Sequence, residues 1–186
     1  MNKAELTDYL ERIDGALQAP ATLCIYGSAA CILMDEPGRT SLDIDVAAPY
    51  SQADESDFRR AAEAAGVPVN PGEDYGGDHV EWVGPLRLCL QRPEAGTETT
   101  LWQGAKLRLQ TGPVSELIAS KLIRYDAIDR TDVQYLMAQA HTPFDEIEAA
   151  AKRLPGPFAR DPLVAENLEN LRADMAQWGV TADDQP

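Results

Sequence analysis

The sequence predicts an α+β protein, with a mixed β-sheet and flanking helices followed by an all-helical C-terminal segment. Strand-like and helix-like runs alternate through the first 110 residues or so. After Gly112-Pro113 the strand-like runs stop and helical patterns follow one another. At 186 residues the chain is long enough for one well-buried core with a small helical appendage. We therefore expect an α/β-type core over 1–111, a helical segment packed on it over 112–180, and a flexible tail over 181–186.

The elements follow from periodicity and from turn residues. Helical spacing of apolar residues predicts a first helix over 3–18, which Pro20 stops. An apolar strand over 22–26 then runs through Gly27-Ser28 directly into a second helix, which ends before Pro37-Gly38. A strand over 42–46 and an amphipathic helix over 53–65 come next. Further strands are predicted over 67–69, 79–83, 86–91 and 105–110, with a hairpin among them, and further helices over 113–125, 129–140, 144–153 and 161–178.

The charge and the apolar content narrow the class of protein. A formal net charge of -15 argues against broad nonspecific binding to nucleic acid or to anionic membrane. Nucleotide phosphates can still reach an acidic site if divalent metal ions mediate the contact. No apolar run is long enough to cross a membrane, and the N-terminal segment is charged and helix-like, without the apolar core of a signal peptide. We expect a cytoplasmic protein in which Cys24, Cys31 and Cys89 are core thiols.

Two aspartates stand in the strand over 42–46. Asp43 and Asp45 alternate with Leu42, Ile44 and Val46, so one face of the strand is acidic and the other apolar. Carboxylates this close repel unless they are solvated, protonated or bridged by a cation, and their oxygens suit Mg²⁺. Solvent exposure on an edge strand is the alternative. Because aspartate is depleted in strand interiors, the context favours a metal site.

The Gly27-Ser28 turn lies between a strand and a helix. Glycine allows a sharp turn and close approach to a ligand, and the N–H groups at a helix start can hold phosphate. Taken alone, the turn is explained as well by Gly27 reversing the chain and Ser28 capping the helix.

Together, Gly27-Ser28, a helix, and Asp43-Ile44-Asp45 resemble the signature of the nucleotidyltransferase superfamily. The flank Arg39-Thr40-Ser41 looks like the bacterial branch that includes the AbiEii-like toxins and the DUF6036 proteins. The resemblance covers residues 20–138. It implies that Gly27, Ser28 and Arg39 bind a triphosphate, and that Asp43 and Asp45 bind Mg²⁺ or Mn²⁺.

A second segment is also similar to that branch, whose members have a helical pattern of Lys-Leu followed by a cluster of Arg-Asp and a further Asp. Lys121 and Arg124 share a face of the helix predicted over 113–125, from which a basic pair can reach a triphosphate. The alternative is a surface ion network of these two residues with Glu116, Asp129 or Asp132. We expect Asp129 and Asp132 to cap and orient the next helix.

Active members of the superfamily carry a third carboxylate on a later strand. Glu81 is the candidate metal ligand or base, and Asp78 is the alternative. His79 is another candidate base, but a single histidine on a strand is more often packed or solvated than catalytic. Trp82 and Trp102 could stack on the base of a nucleotide, but core or surface positions are the better explanation.

The resemblance implies a metal-dependent transfer of a nucleoside monophosphate from an NTP to a hydroxyl acceptor, with catalytic roles for Asp43, Asp45, Glu81 and Lys121. The acceptor would be an RNA such as tRNA, or a protein, and the protein would be the toxin of a toxin–antitoxin pair with a cognate antitoxin. The alternatives are a catalytically impaired nucleotidyltransferase-fold protein with a binding or regulatory role, and an adenylyltransferase acting on small molecules such as antibiotics.

Overall fold

The computed structural model describes residues 1–179 and shows the α+β fold that the sequence predicts, with a five-stranded mixed sheet. The tail predicted over 181–186 lies outside the described residues. The strands are β1 (Ala21–Tyr26), β2 (Asp43–Ala47), β3 (His79–Val83), β4 (Thr99–Gln103) and β5 (Leu107–Thr111). The helices are α1 (Lys3–Ala16), α2 (Gly27–Leu33), α3 (Glu55–Ala64), α4 (Val114–Lys121), α5 (Ala127–Ala140), α6 (Phe144–Lys152) and α7 (Pro162–Trp178).

The chain divides into two compact units. Residues 1–88 and 92–112 form the first, which holds the whole sheet and is called the sheet unit. Residues 89–91 and 113–179 form the second, which is called the helical unit.

The sheet has the strand order β3-β2-β1-β5-β4. β1 pairs antiparallel with β2 and parallel with β5, while β2 pairs parallel with β3 and β5 pairs antiparallel with β4. The apolar runs that predicted β1 and β5 become its buried centre, with Leu23, Ile25, Leu107 and Leu109 at most 2% exposed. β1 and β2 are connected through α2 and are hydrogen-bonded neighbours in the sheet.

Helix α1 is fixed at both ends. Asn2 caps its N-terminus and forms a capping box with Glu5. Near the other end, the carboxylate of Asp14 accepts backbone N–H groups of Lys106 and Leu107 at 2.7 Å each, and of Ala105 at 3.1 Å. Burial would raise the pKa of Asp14, yet these hydrogen bonds hold it below its usual value. Asp14 therefore ties α1 to the start of β5.

Two of the strands predicted from the sequence were wrong. Residues 86–91 form a turn and irregular chain rather than a strand or half of a hairpin. Leu88 and Leu90 are buried, but Leu86 is 95% exposed, so burial here does not follow a pleat. The sheet instead takes β4, which the sequence analysis missed because its exposed, threonine-rich residues lack an apolar face. The short strand predicted over 67–69 is reduced to one bridge, between Val69 and Val80.

The helical unit holds α4 to α7, and two of its boundaries differ from the prediction. Helix α4 ends at Lys121 rather than at residue 125, and α5 begins at Ala127 rather than at residue 129. Asp126 caps α5 by accepting N–H bonds from Ile128 and Asp129, so the cap predicted for Asp129 and Asp132 was wrong. Among residues 1–179, no helix is both long and apolar enough to cross a membrane.

Candidate functional site

The turn from β1 to α2 lies directly against the carboxylate of Asp45. Gly27 has a φ of +68°, a backbone conformation that side chains disfavour. A Cβ added to Gly27 would lie 2.3 Å from Asp45 Oδ2, closer than two such atoms can approach. Glycine is therefore favoured here, both for the backbone and for the space that Asp45 fills. The neighbouring pair Tyr26 and Asp45 on β1 and β2 brings the two segments together.

Three carboxylate side chains share one face of β2 and β3. The parallel register sets Asp45 opposite Glu81, and Asp43 opposite His79. Residues opposite one another project from the same face, on strands about 4.8 Å apart. All four side chains are half-buried, whereas the intervening Ile44 and Val80 are buried on the other face. We call Asp43, Asp45 and Glu81 the carboxylate face.

The segment before β2 connects the carboxylate face to the Gly27 turn. The Ser41 hydroxyl donates a hydrogen bond to Asp43 Oδ1 at 2.6 Å. The Arg39 guanidinium donates to the Ser28 hydroxyl, and to the carbonyl oxygen of Thr40 at 2.7 Å. Arg39 thus places a fixed positive charge beside the first residues of α2.

The Glu81 carboxylate has one basic side chain near each oxygen. His79 Nε2 lies 3.4 Å from Oε1, and a guanidinium nitrogen of Arg87 lies 3.5 Å from Oε2. The other ring nitrogen of His79 donates to the carbonyl oxygen of Gly77 at 2.9 Å, because a carbonyl can only accept. Both separations to Glu81 exceed those of strong charge-assisted hydrogen bonds. Glu81 therefore keeps oxygen lone pairs for another ligand.

Asp78, the alternative third carboxylate, has a different set of contacts. It precedes β3, and its Oδ2 accepts a hydrogen bond from the Tyr9 hydroxyl of α1 at 3.1 Å. Its Oδ1 lies 3.0 Å from the α-amino group of Met1. Burial and the bond to Asp78 raise the pKa of Tyr9. Of the two alternatives, Glu81 is the residue that β3 places beside Asp45.

Lys121 and Arg124 belong to the helical unit, where they share acidic partners. Lys121 is 7% exposed, pairs with the fully buried Asp132, and has its Nζ 3.6 Å from Asp129 Oδ1. Arg124 lies beyond the end of α4 and binds Asp129 at 2.8 Å and Asp126 at 2.9 Å. The hydrogen bonds to Asp129 raise the pKa of Arg124. The ion pairs of the alternative explanation are thus present with Asp129 and Asp132, but around Lys121 they are buried rather than on the surface.

The two tryptophans differ in their surroundings. The ring of Trp82 packs against that of Phe58 on α3, with the centroids 5.3 Å apart. Phe58 is 1% exposed, so Trp82 helps to close the core. Trp102 is half-buried on β4, the strand at the opposite edge of the sheet from β3.

Comparison with known proteins returned no match to a protein family, to a curated protein or to a solved structure. The likeness to nucleotidyltransferases therefore remains a prediction that depends on the motif residues themselves.

Two residues near the carboxylate face, Ser41 and Arg87, were not predicted as site residues. The sequence did contain a signal for Ser41. It stands two positions before Asp43, and in extended chain residues two apart project from the same face. Arg87 had none. Its approach to Glu81 depends on the turn after β3, in a segment that the sequence analysis treated as a strand.

Proposed function

We propose that this protein is a metal-dependent nucleotidyltransferase that moves a nucleoside monophosphate from an NTP to a hydroxyl acceptor. The observation that carries the proposal is the register of β2 and β3, which sets Glu81 beside Asp45 while Asp45 lies against Gly27. The motif resemblance requires a phosphate-binding turn, a carboxylate pair and a third carboxylate. The nearness of Gly27, Asp45 and Glu81 in the sheet unit supports the proposal.

Asp43, Asp45 and Glu81 carry the type of oxygen donor that divalent cations such as Mg²⁺ and Mn²⁺ prefer, although their carboxylate oxygens do not all lie within 4.8 Å of one another. Asp43, Asp45 and Glu81 offer hard oxygen donors on one half-buried face. Asp45 fills the space that a side chain at position 27 would take, so its oxygen stands next to backbone suited to phosphate. When bound, such ions would neutralise phosphoryl oxygens and favour ionisation of the attacking hydroxyl.

Each group of the chain has a distinct role in this proposal. Backbone N–H groups at Gly27 and Ser28 would bind the β- and γ-phosphates, with Arg39 orienting the Ser28 hydroxyl and adding positive charge. Glu81 would accept the proton of the acceptor hydroxyl or complete the metal site. The acceptor oxygen forms a bond to the α-phosphorus, the bond from that phosphorus to the bridging oxygen breaks, and pyrophosphate leaves.

The proposal gives Lys121 and Arg124 no step. Each is already paired with carboxylates inside the helical unit, which supports a structural role between α4 and α5. Their binding to a triphosphate stays a prediction from the resemblance.

The acceptor follows only from the likeness to the AbiEii-like and DUF6036 branch. That likeness favours an RNA, such as tRNA, or a protein, and a role as the toxin of a pair with a cognate antitoxin. The charge of -15 means that an RNA acceptor would have to be recognised at defined contacts, because general electrostatic attraction is lacking.

The test is transfer of label from each α-³²P-labelled NTP to total RNA or lysate protein, with Mg²⁺ or Mn²⁺. We expect Asp43→Asn and Asp45→Asn to reduce transfer by at least about a hundredfold, the range for losing one electrostatic stabiliser of a transition state. Asp8→Asn, which changes an exposed carboxylate paired with Arg12 on α1, is the matched control and should transfer normally.

Undiminished transfer by both variants would exclude the carboxylate face as the centre. Metal-dependent nucleotide binding without transfer would instead assign a binding or regulatory role. Label found on a small molecule would make the protein a small-molecule adenylyltransferase.

A further inference from the structure

We propose that the outer edge of β4 pairs antiparallel with β4 of a second copy of this chain, which joins the two sheets into one. The inference goes beyond the proposed function and is independent of it. Two observations carry it: the two edges of the sheet are covered differently, and the two ends of β4 carry opposite charges.

The chain itself closes the β3 edge. The Asn70 backbone N–H donates to the carbonyl oxygen of Val80 at 2.8 Å, and Val80 donates to that of Pro68 at 2.9 Å. The Asn70 side chain acts as one more strand residue, because it accepts the Trp82 N–H at 2.6 Å and donates to the Trp82 carbonyl oxygen at 3.2 Å. The backbone groups of Val80 and Trp82 therefore have partners within the chain.

The β4 edge has no such cover in the described part of the chain. Among residues 1–179, β5 is the one strand that pairs with β4, and no backbone–backbone hydrogen bond joins residues 99–103 to another segment. Thr99, Thr100 and Gln103 are exposed, and Leu101 and Trp102 are half-buried. An open strand edge presents a row of N–H and C=O groups that fits extended backbone, so its partner is another strand.

The composition of β4 does not protect this edge. Edge strands that stay single are commonly guarded by charged side chains or proline, and the five residues TTLWQ include neither. A register shift between Thr100 and Trp102 bends the strand, which limits the length of any pairing. Two copies with a formal net charge of -15 each repel one another overall, so an uncharged strand is a place where they can approach closely.

The charges at the ends of β4 favour a second copy in antiparallel orientation. Glu98 immediately precedes the strand, whereas Lys106 lies shortly after it. Arg108 adds an exposed basic side chain at the second end, where it donates to the Gln103 side chain at 3.1 Å. Antiparallel pairing about a two-fold axis sets the acidic end of each strand beside the basic end of the other. Such pairs add little affinity, but they set the orientation.

An extended segment of a different protein is the competing partner for this edge. In that case the purified chain would stay monomeric, and charges placed on β4 would have no second β4 to act on. Pairing between two copies predicts instead that like charges on β4 repel one another and that opposite charges on two copies attract. The two partners are therefore distinguished by placing charges on the strand.

The experiment measures self-association of the purified chain by sedimentation velocity, over concentrations from about 1 to about 500 µM. Two strands of this length bury less than a standard interface of about 1,600 Å², so we expect a weak dimer with a dissociation constant on the order of 10–100 µM.

Two double variants place charges on β4, at positions that lie opposite Gln110 and Arg108 of β5. The acidic variant carries Thr100→Glu with Gln103→Glu, and the basic variant carries Thr100→Lys with Gln103→Lys. Each puts like charges on the two facing strands, at two symmetric places in the dimer. We expect each to raise the dissociation constant about tenfold.

An equimolar mixture of the two variants is the decisive measurement. The facing strands then carry opposite charges, so the mixed dimer should form at least as tightly as the wild-type dimer. Recovery in the mixture also shows that both variants are folded. The control is Thr131→Glu with Gln134→Glu, which puts the same charges at the same spacing on exposed positions of α5 and should leave the dissociation constant unchanged.

Weaker association of each variant, with recovery in the mixture, would establish pairing through β4. A wild type that stays monomeric over the whole range would overturn the inference and assign the open edge to another protein. An acidic variant that dimerises as the wild type does, or a mixture that stays as weak as each variant alone, would overturn it as well. Because no arm measures nucleotidyl transfer, the dimer and the proposed function can fail separately.

Discussion

Replacing Gly27 with alanine tests the contact on which the candidate site depends. At a φ of +68°, any side chain costs about 1–2 kcal/mol in backbone strain. The new Cβ would also lie 2.3 Å from Asp45 Oδ2, so the carboxylate must turn away, and an off-rotamer side chain costs about 1 kcal/mol more. We expect Gly27→Ala to lower the free energy of unfolding by roughly 2–3 kcal/mol in total.

Gly38 provides a close control. Its φ is +70°, yet nothing lies within 4 Å of a Cβ added there. Gly38→Ala should therefore show the backbone cost alone, about 1–2 kcal/mol. In an Asp45→Ala background the obstructing carboxylate is gone, so Gly27→Ala should then cost no more than Gly38→Ala. The cost of Gly27→Ala in the wild type minus its cost in the Asp45→Ala background is the coupling energy between Gly27 and Asp45.

Urea denaturation gives the free energies, and Mn²⁺ titration reports on the displaced carboxylate. We expect Gly27→Ala to weaken Mn²⁺ binding about tenfold, as disturbed metal-site geometry commonly does, and Gly38→Ala to leave it unchanged. If the two alanine variants had equal stability and both bound Mn²⁺ as wild type does, the contact between Gly27 and Asp45 would not govern the site.

Two other predictions concern buried and hydrogen-bonded charges. Lys121→Ala leaves Asp132 buried without its ammonium partner and should lower the free energy of unfolding by about 3–5 kcal/mol in urea. The exposed pair of Lys152 with Glu148 is the control, and Lys152→Ala should cost less than about 1 kcal/mol; equal losses would contradict the structural role of Lys121. Asp14 has a lowered pKa in the folded state, so its ionised form stabilises the protein above the unfolded value of 3.8, and that stability is lost as pH falls through the folded value. Asp14→Asn should therefore be less stable than wild type at pH 7, and the gap should narrow below about pH 4 in urea melts; a gap independent of pH would count against the proposed hydrogen bonds.

Local patterns were enough for most elements of the sheet unit. The helical spacing of Leu6, Leu10 and Ile13 located α1, and all three residues are buried in it. The alternation predicted the faces of β2, since Ile44 and Val46 are buried while Asp43 and Asp45 are half-buried, but Leu42 precedes the strand and is 58% exposed. These predictions succeeded because burial of one face leaves a period in the sequence.

Patterns failed where pairing or burial depended on distant residues. Residues 86–91 alternate like a strand, but Leu88 and Leu90 are buried in turn and irregular chain. β4 has no apolar face, and it forms because β5 offers it an edge. The end of α4 at Lys121 likewise had no strong stop signal in the sequence.

The sequence by itself determined the α+β class, the acidic face of β2 and the glycine turn, because each depends on residues close together in the chain. Tertiary structure decided which groups meet. Only the register of β2 and β3 places Glu81 beside Asp45, and only the turn after β3 brings Arg87 to Glu81. The same is true of Gly27, which the sequence identified as a turn residue. Strand pairing makes it the one residue type that leaves room for the Asp45 carboxylate.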